Sequence, residues 1–157
     1  MALAPLTVVV PIVIACVLAG LSPFVGRHQG LLAVAGGLAA LVLAALVLAG
    51  APAPLVIWFG GWRPHAGVAV GVAFAVDGLG AALAVFVAAL GVIALLVSSR
   101  VIGTQSAVFD ALILVFLAAM LGFCLTGDLF NLFVFFELMS VSAYVLVGYE
   151  VRHRAAL

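Results

Sequence analysis

Long apolar stretches, separated by short polar or proline- and glycine-rich connections, follow one another along the whole chain. A helix that crosses a membrane needs about 20 predominantly apolar residues, within a range of about 17–25. Five stretches meet this requirement, and each predicts one transmembrane helix. They lie at about residues 3–24, 30–50, 78–99, 108–125 and 129–149. The predicted fold class is an all-α integral membrane protein, with residues 1–157 as a single membrane domain.

The connection between the second and third predicted helices has a different pattern. Prolines and glycines punctuate residues 51–77, so this loop is predicted to be non-helical. Its second half, residues 68–76, is apolar, β-branched and spaced by glycines, which is typical of short strands. We therefore expect a hairpin-like loop at the membrane surface, with Arg63 and His65 at its tip. The aromatic residues of the kind that settle at a membrane interface are Trp58, Phe59 and Trp62.

Aspartates stand at the start of the last three predicted helices. Asp77 precedes the third, Asp110 lies in the first turn of the fourth, and Asp128 precedes the fifth. A carboxylate before a helix accepts hydrogen bonds from its free N–H groups and favours the positive end of the helix dipole. We expect Asp77 and Asp128 to cap their helices, and Asp110 to be compatible with the dipole of its helix.

Composition narrows the class of protein further. Of the 157 residues, 69% are hydrophobic and 6% are charged, whereas soluble domains carry about 25% charged residues. The chain leaves no room for a soluble active site, and the partners expected are the lipid bilayer and other membrane subunits, not nucleic acid. Cys16 and Cys124 lack the spacing of a metal site. With no ligand set for haem, an iron–sulfur cluster or flavin, we expect no cofactor and no metal, and a direct redox role on quinone is disfavoured.

The arginines indicate an orientation. With five spans, Arg27, Arg100, Arg152 and Arg154 fall on one side of the membrane, and Arg63 falls on the other. Cytoplasmic loops of membrane proteins carry an excess of basic residues. We therefore expect a multi-pass protein of the cell membrane, inner or plasma, with its N-terminus outside and its C-terminus in the cytoplasm.

Glu137 interrupts the fifth predicted helix near its middle. An ionised side chain at the bilayer centre costs about 3 kcal/mol by insertion scales, and such residues usually mark ion or proton pathways. The alternative is a glutamate that is hydrogen-bonded against a partner helix. None of the arginines lies mid-span, and the chain has no lysine. We therefore expect the counter-charge of Glu137 on another polypeptide or on a continuation of this one.

The helical face that carries Glu137 contains further polar side chains. Positions three, four and seven apart lie on one face of a helix. From Glu137 this face contains Phe130, Phe133, Ser140, Val141, Tyr144 and Gly148. Ser140 and Tyr144 are candidates for a proton relay with the carboxylate. The alternative is that Ser140 bonds its own backbone, as serines in helices commonly do, and that Tyr144 sits at the membrane interface.

These residues lie in a stretch with a family resemblance. The sequence GDLFNLFVFFELMSVSAYVLVGY, at residues 127–149, resembles the fifth helix of the antiporter-like membrane subunits. This family includes the large subunits of Mrp-type Na+/H+ antiporters, the proton-pumping membrane subunits of respiratory complex I, and their relatives in membrane-bound hydrogenases. WFGGWRP at residues 58–64, followed by a valine-rich run into VDGLGAAL, resembles the second loop and third helix of the Mrp D-type branch.

The resemblance implies a role for Glu137. In the family, the matching glutamate works with a lysine on a later, broken helix, and that helix is not in this sequence. The chain therefore looks like the N-terminal third of a family member.

The function implied is that of a membrane subunit, or its N-terminal fragment, of a module that translocates protons or Na+. Glu137 would move the proton, and the partners would be other membrane subunits of an antiporter or respiratory complex. No covalent chemistry is implied; an enzymatic role would be that of a subunit of a proton-translocating NADH–quinone oxidoreductase. The alternative is a structural assembly subunit of a respiratory or hydrogenase complex, with no transport activity of its own.

Overall fold

The computed structural model of the chain describes residues 3–22, 28–50, 54–61, 71–101 and 106–154. Within these ranges the chain forms five α-helices and a two-stranded sheet. The helices are α1 (Leu3–Gly20), α2 (Gln29–Ala49), α3 (Gly78–Val101), α4 (Ala107–Leu125) and α5 (Leu129–Arg154). The strands, β1 (Leu55–Trp58) and β2 (Ala73–Val76), lie between α2 and α3.

All five helices of the described ranges are long and apolar enough to cross a membrane. The fold class predicted from the sequence, an all-α integral membrane protein, is therefore confirmed. The apolar parts of α3 and α5, Gly78–Ser99 and Leu129–Tyr149, coincide with the predicted spans. Helix α1 ends at Gly20, earlier than residue 24 of the prediction, and residues 23–27 lie outside the described ranges.

Helix α4 is the centre of the bundle. It contacts α1, α2, α3 and α5. Leucines recur along it at the helical spacing of three and four residues, and this places them on the faces that meet the neighbouring helices. Leu114, Leu117, Leu121 and Leu125 are each at most 2% exposed. The core of the protein therefore follows the length of α4.

Small residues allow α2 to approach its neighbours closely. Gly36 and Gly37 are both buried. A β-carbon on Gly36 would lie 3.1 Å from Ile14 of α1, and one on Gly37 would lie 2.8 Å from Leu95 of α3. Small residues at helix interfaces let backbones approach in membranes. This glycine pair therefore lies in the helix interfaces and does not face lipid.

The predicted hairpin is present. Strands β1 and β2 pair antiparallel, with Leu55 opposite Val76 and Trp58 opposite Ala73. One turn of 3-10 helix, Phe59–Gly61, follows β1. The backbone of this turn is not that of a regular helix, because Gly60 is left-handed (φ 72°), a conformation that glycine adopts readily. The tip residues Arg63 and His65, and Trp62, lie outside the described residues.

The hairpin is also attached to the turn between α4 and α5. The backbone N–H of Gly127 donates to the carbonyl of Ala73 over 2.8 Å, and Phe74 forms a bridge with Thr126. A β-carbon on Gly127 would lie 3.1 Å from Ala75, so the strand and the turn are in close contact. The turn that starts α5 is thus fixed against β2.

Candidate functional site

Asp128 fixes the start of α5. Its Oδ1 accepts the backbone N–H of Asn131 over 2.7 Å, and its Oδ2 accepts the N–H of Ala73 over 3.1 Å and the side-chain amide of Asn131. The predicted capping role is confirmed, and Asp128 also holds strand β2. Burial acts to raise the pKa of the Asp128 carboxyl, but the hydrogen bonds from Asn131 and Ala73 outweigh it and leave the pKa below its usual value.

Asp77 caps α3 in the same manner. Its Oδ1 accepts the N–H of Gly80 over 2.6 Å, and its backbone carbonyl accepts the N–H of Ala81. A β-carbon on Gly80 would lie 2.7 Å from the carbonyl oxygen of Cys124 at the end of α4. The start of α3 therefore lies against the end of α4, on the same side of the bundle as Asp128.

One face of α5 packs against α4. Near the start of the helix, the ring of Phe135 lies over Gly122, where a β-carbon would be 2.3 Å from the ring. Near the other end of the span, the rings of Phe109 and Tyr149 lie 5.3 Å apart between centroids. Ser142 is buried between these points and bonds the carbonyl of Leu138. Helix α4 thus covers one side of α5 along its whole apolar length.

The opposite face of α5 is uncovered by the described residues, and it carries Glu137. Phe130 is 74% exposed and Tyr144 is 79% exposed, and Glu137 and Val141 are exposed between them. Phe133 and Gly148 are exposed on the same face, and Ser140 is half-buried at its edge. The helical-face prediction therefore groups these residues as the structure does. We call this surface the Glu137 face.

Glu137 lies about 12 Å along the axis from the start of α5, at 1.5 Å per residue. The apolar part of the helix runs from Leu129 to Tyr149, so the carboxylate is near mid-span. Neither a hydrogen bond nor an ion pair joins it to any residue in the described ranges. Bonding against a packed helix of those ranges, the alternative weighed for Glu137, is therefore not seen.

Ser140 and Tyr144 share the Glu137 face, but the structure does not bond them to the carboxylate. The Ser140 hydroxyl donates to the carbonyl of Phe136 over 2.9 Å. This is the backbone bond that was the alternative to a relay role, and it leaves the oxygen of Ser140 able to accept a further hydrogen bond. Tyr144 lies about 10 Å along the axis from Glu137, at 1.5 Å per residue.

Asp110 is a buried carboxylate. The sequence pattern predicted its position in the first turn of a helix but not its burial. It is 1% exposed, and its Oδ2 has no hydrogen-bond partner among the residues that the structure describes. The signal was available: Asp110 is four residues before Leu114 and seven before Leu117, so it shares their buried face. Elsewhere, no group of three or more His, Cys, Asp and Glu side chains within the described ranges is placed to hold a metal ion.

Comparisons with known proteins agree with the resemblance seen in the sequence, although no family model matches. The N subunit of the NADH-quinone oxidoreductase of Desulforudis audaxviator is 38% identical over 96 residues, which are 59% of this chain and 18% of that protein. The D subunit of a Na(+)/H(+) antiporter of Bacillus subtilis is 32% identical over 103 residues, which are 62% of this chain and 20% of that protein. The resemblance to the antiporter-like membrane subunits is confirmed.

A solved structure shows that the fold is shared with a respiratory membrane assembly. A chain of the membrane-bound sulfane sulfur reductase, an archaeal respiratory membrane complex, matches 92% of this chain with a TM-score of 0.82 and 23% identity. The match covers 30% of that chain. This chain therefore spans about a fifth of the length of the two relatives that match it in sequence, and under a third of the solved one.

Proposed function

We propose that this chain carries the glutamate-bearing part of a membrane module that translocates protons or Na+, and that Glu137 binds and releases the transported proton. The observation that carries the proposal is the position of Glu137: mid-span, on the face of α5 that α4 leaves uncovered. Relatives named as an antiporter subunit and a NADH-quinone oxidoreductase subunit support it.

An ionised side chain is unfavourable in lipid, so we expect other protein to pack on the Glu137 face. A carboxylate that faces hydrocarbon at the bilayer centre destabilises the protein by about 3 kcal/mol or more, and such residues normally face protein or a water-filled cavity. We propose that another membrane subunit, or a continuation of this chain, packs on the Glu137 face and supplies the counter-charge. The lysine that the family resemblance implies would serve this purpose.

A movable counter-charge gives the site its mechanism. A cation close to a carboxylate favours the ionised form, and withdrawal of the cation favours uptake of a proton. Glu137 would therefore release its proton when the cation approaches and take one up when the cation leaves. In this proposal the chain does no covalent chemistry, and its partners are the other membrane subunits of an antiporter or respiratory complex.

Ser140 and Tyr144 are proposed as a relay that leads protons along the Glu137 face. Support comes from their shared face and from the free acceptor capacity of the Ser140 hydroxyl. The distance from Glu137 to Tyr144 requires water molecules between them. In the double variant Ser140→Ala with Tyr144→Phe, we expect slower transport with Glu137 intact; an unchanged rate would remove both residues from the pathway.

We also propose the membrane and the orientation that the arginines indicate. The protein would lie in the cell membrane, inner or plasma, with its N-terminus outside and its C-terminus in the cytoplasm, according to the positive-inside rule. The hairpin and Asp128 would then face the outside. Labelling of the variant Leu129→Cys, at an exposed position at the same end of α5, by a membrane-impermeant reagent in intact cells tests this orientation.

Replacement of Glu137 is the direct test of transport. In the complete protein, Glu137→Gln removes the titratable group but keeps the shape and hydrogen-bonding capacity of the side chain. We expect proton-coupled transport into membrane vesicles to fall roughly 100-fold or more, the range found for groups that transfer a proton. Val134→Ala, a change at another exposed position of α5, is the matched control and should retain transport.

Assembly separates this proposal from the structural alternative. The Glu137 face exposes Phe130, Phe133 and Tyr144 around the carboxylate, and such a surface suits packing against another subunit. If Glu137 only anchors that contact, Glu137→Gln disrupts co-purification of the partner subunits. An assembled complex with normal transport would instead eliminate the proposed role of Glu137 altogether.

A further inference from the structure

Two buried side-chain oxygens in the described residues lack a hydrogen-bond partner, and neither belongs to the Glu137 face. They are Oδ2 of Asp110 on α4 and Oγ of Ser98 on α3. Asp110 is 1% exposed and Ser98 is 5% exposed. A buried polar atom without a partner destabilises a protein, and a charged one does so more strongly than a neutral one. Both atoms therefore need a polar partner that the described residues do not supply.

The packing register of α3 and α4 places the two residues at the same depth. The helices run antiparallel, since Gly80 lies against Cys124 at one end, and Gly91 lies against Leu117 further along. Seven residues make about two turns, which returns a helix to the same face. Seven residues beyond Gly91 is Ser98, and seven residues before Leu117 is Asp110. Both therefore lie on the faces that α3 and α4 turn toward each other.

A groove gives access to this level of the bundle. It has a volume of about 490 Å³ and runs between α3 and α4. Val97 and Ser98 line it on one side, and Phe109 and Ile113, which flank Asp110 in the sequence, line it on the other. The other residues that line the groove are apolar, and Asp110 lies behind them, so the groove brings the Ser98 side of the pair close to the surface of the bundle.

The polar surroundings of Asp110 contain no described counter-charge. The titratable groups that its neighbouring helices bring to this end are Cys16 on α1, His28 at the start of α2, and Tyr149 on α5. Cys16 and His28 are exposed, and the ring of Tyr149 lies against Phe109. The side chains of Arg27, Arg100 and residues 150–154 are outside the described part of the chain.

We propose that Asp110 and Ser98 form a second proton-binding site, separate from Glu137 and at the opposite end of the bundle from Asp128. A proton from water at this end of the bundle binds the Asp110 carboxylate and gives a neutral acid. The O–H of the acid becomes a hydrogen-bond donor at the Asp110 oxygen that has no described partner. The Ser98 hydroxyl is the polar group at the same depth, and a water molecule between the two would join them. The site does not depend on Glu137 for its proton.

Infrared spectroscopy of the full chain in lipid bilayers tests the site, because a protonated carboxyl group has a carbonyl stretch that a carboxylate lacks. The measurement is made with Glu137→Gln present throughout, so that the outcome is independent of the transport proposal. We expect a carboxylic-acid band that is lost on adding Asp110→Asn and retained on adding Asp77→Asn, a matched change at the exposed cap of α3.

A second variant, Ser98→Ala, tests the same site even if Asp110→Asn folds poorly. Ser98→Ala removes the neighbouring hydroxyl and should shift the frequency of the Asp110 band, since the acid loses a hydrogen-bond partner. Absence of any acid band assignable to Asp110 from mildly acidic to mildly alkaline pH overturns the proposal. A band that responds to Na+ at constant pH, and not to pH, also overturns it in favour of a cation site.

Discussion

Helices α4 and α5 follow each other directly in the chain, and both are apolar enough to span a membrane, yet they are packed in opposite ways. Helix α4 contacts every other helix of the described bundle, and leucines and alanines fill most of its buried positions. Helix α5 packs mainly against α4, and the fully buried side chains of its described part are the polar Asn131 and Ser142. Glu137 and four of its aromatic residues are exposed instead: Phe130, Phe133, Phe136 and Tyr144.

The contrast indicates different roles for the two helices: α4 stabilises the bundle, and α5 carries the candidate functional residues. Helix α4 organises the bundle, so changes in its leucine face should act on stability. Helix α5 presents a charge and aromatic side chains on a face that the described residues do not cover, so changes there should act on transport and assembly. In lipid the apolar side chains of both helices are equally well solvated, and packing rather than hydrophobicity distinguishes them.

The largest expected difference in stability comes from truncating matched apolar residues. Leu121 of α4 is fully buried, whereas Val141 of α5 is 56% exposed. We expect Leu121→Ala to lower the free energy of unfolding by about 2–4 kcal/mol, because it leaves a cavity, and Val141→Ala to change it by about 0.5 kcal/mol or less. Denaturant unfolding of the chain in micelles, followed by circular dichroism, measures both. Equal losses would contradict the contrast between the helices.

A smaller effect is expected from adding a methyl group at two glycines. A β-carbon at Gly122 would lie 2.3 Å from the ring of Phe135, whereas one at Gly148 would meet nothing within 4 Å. Overpacking destabilises by about 1–3 kcal/mol, and the better helix propensity of alanine offsets up to about 1 kcal/mol of this. Gly122→Ala should therefore lose about 1 kcal/mol, and Gly148→Ala should lose nothing. Thermal unfolding of the two variants side by side decides this.

The smallest effect concerns the joint between the two helices. Asp128→Asn keeps one acceptor oxygen but loses the charge and the second acceptor, which bonds Ala73. We expect a loss of about 1 kcal/mol, typical of a helix cap.

The pH dependence of the free energy of unfolding tests the role of Asp128 further. The direction of the expected change follows from the lowered pKa of its carboxyl. Because the folded-state pKa lies below the ordinary value of 3.8, the charged carboxylate stabilises the fold fully at pH values above that value. The contribution is lost as pH falls below 3.8 and through the folded-state pKa. Unfolding measured from neutral pH down to strongly acidic pH should therefore show a smaller acid loss in Asp128→Asn than in the unchanged protein. Parallel curves would show that Asp128 does not contribute in this way.

Much of this molecule could be read from local features of the sequence. The length of each apolar stretch gave the spans because a bilayer has a fixed thickness. The caps at Asp77 and Asp128 followed from local hydrogen bonding, which needs no knowledge of distant residues. The grouping of Ser140 and Tyr144 with Glu137 followed from helical periodicity alone.

Other features depended on which helices meet. The burial of Asp110 could be read from periodicity only once the Leu114 and Leu117 face of α4 was known to be the core. The bond from Ala73 to Asp128 joins residues 55 positions apart, and no local pattern indicates it.

The sequence by itself determined the number of spans, the cost of the charge at Glu137 and the face on which Glu137 lies, because these follow from bilayer thickness, solvation and helical geometry. The tertiary structure decided that α4 is the core, that the described residues leave the Glu137 face of α5 uncovered, and that Asp110 lies next to no described counter-charge. The physical reason is that lipid and protein interior are almost equally apolar. In a membrane helix, hydropathy therefore cannot distinguish a side that packs against protein from a side that faces lipid.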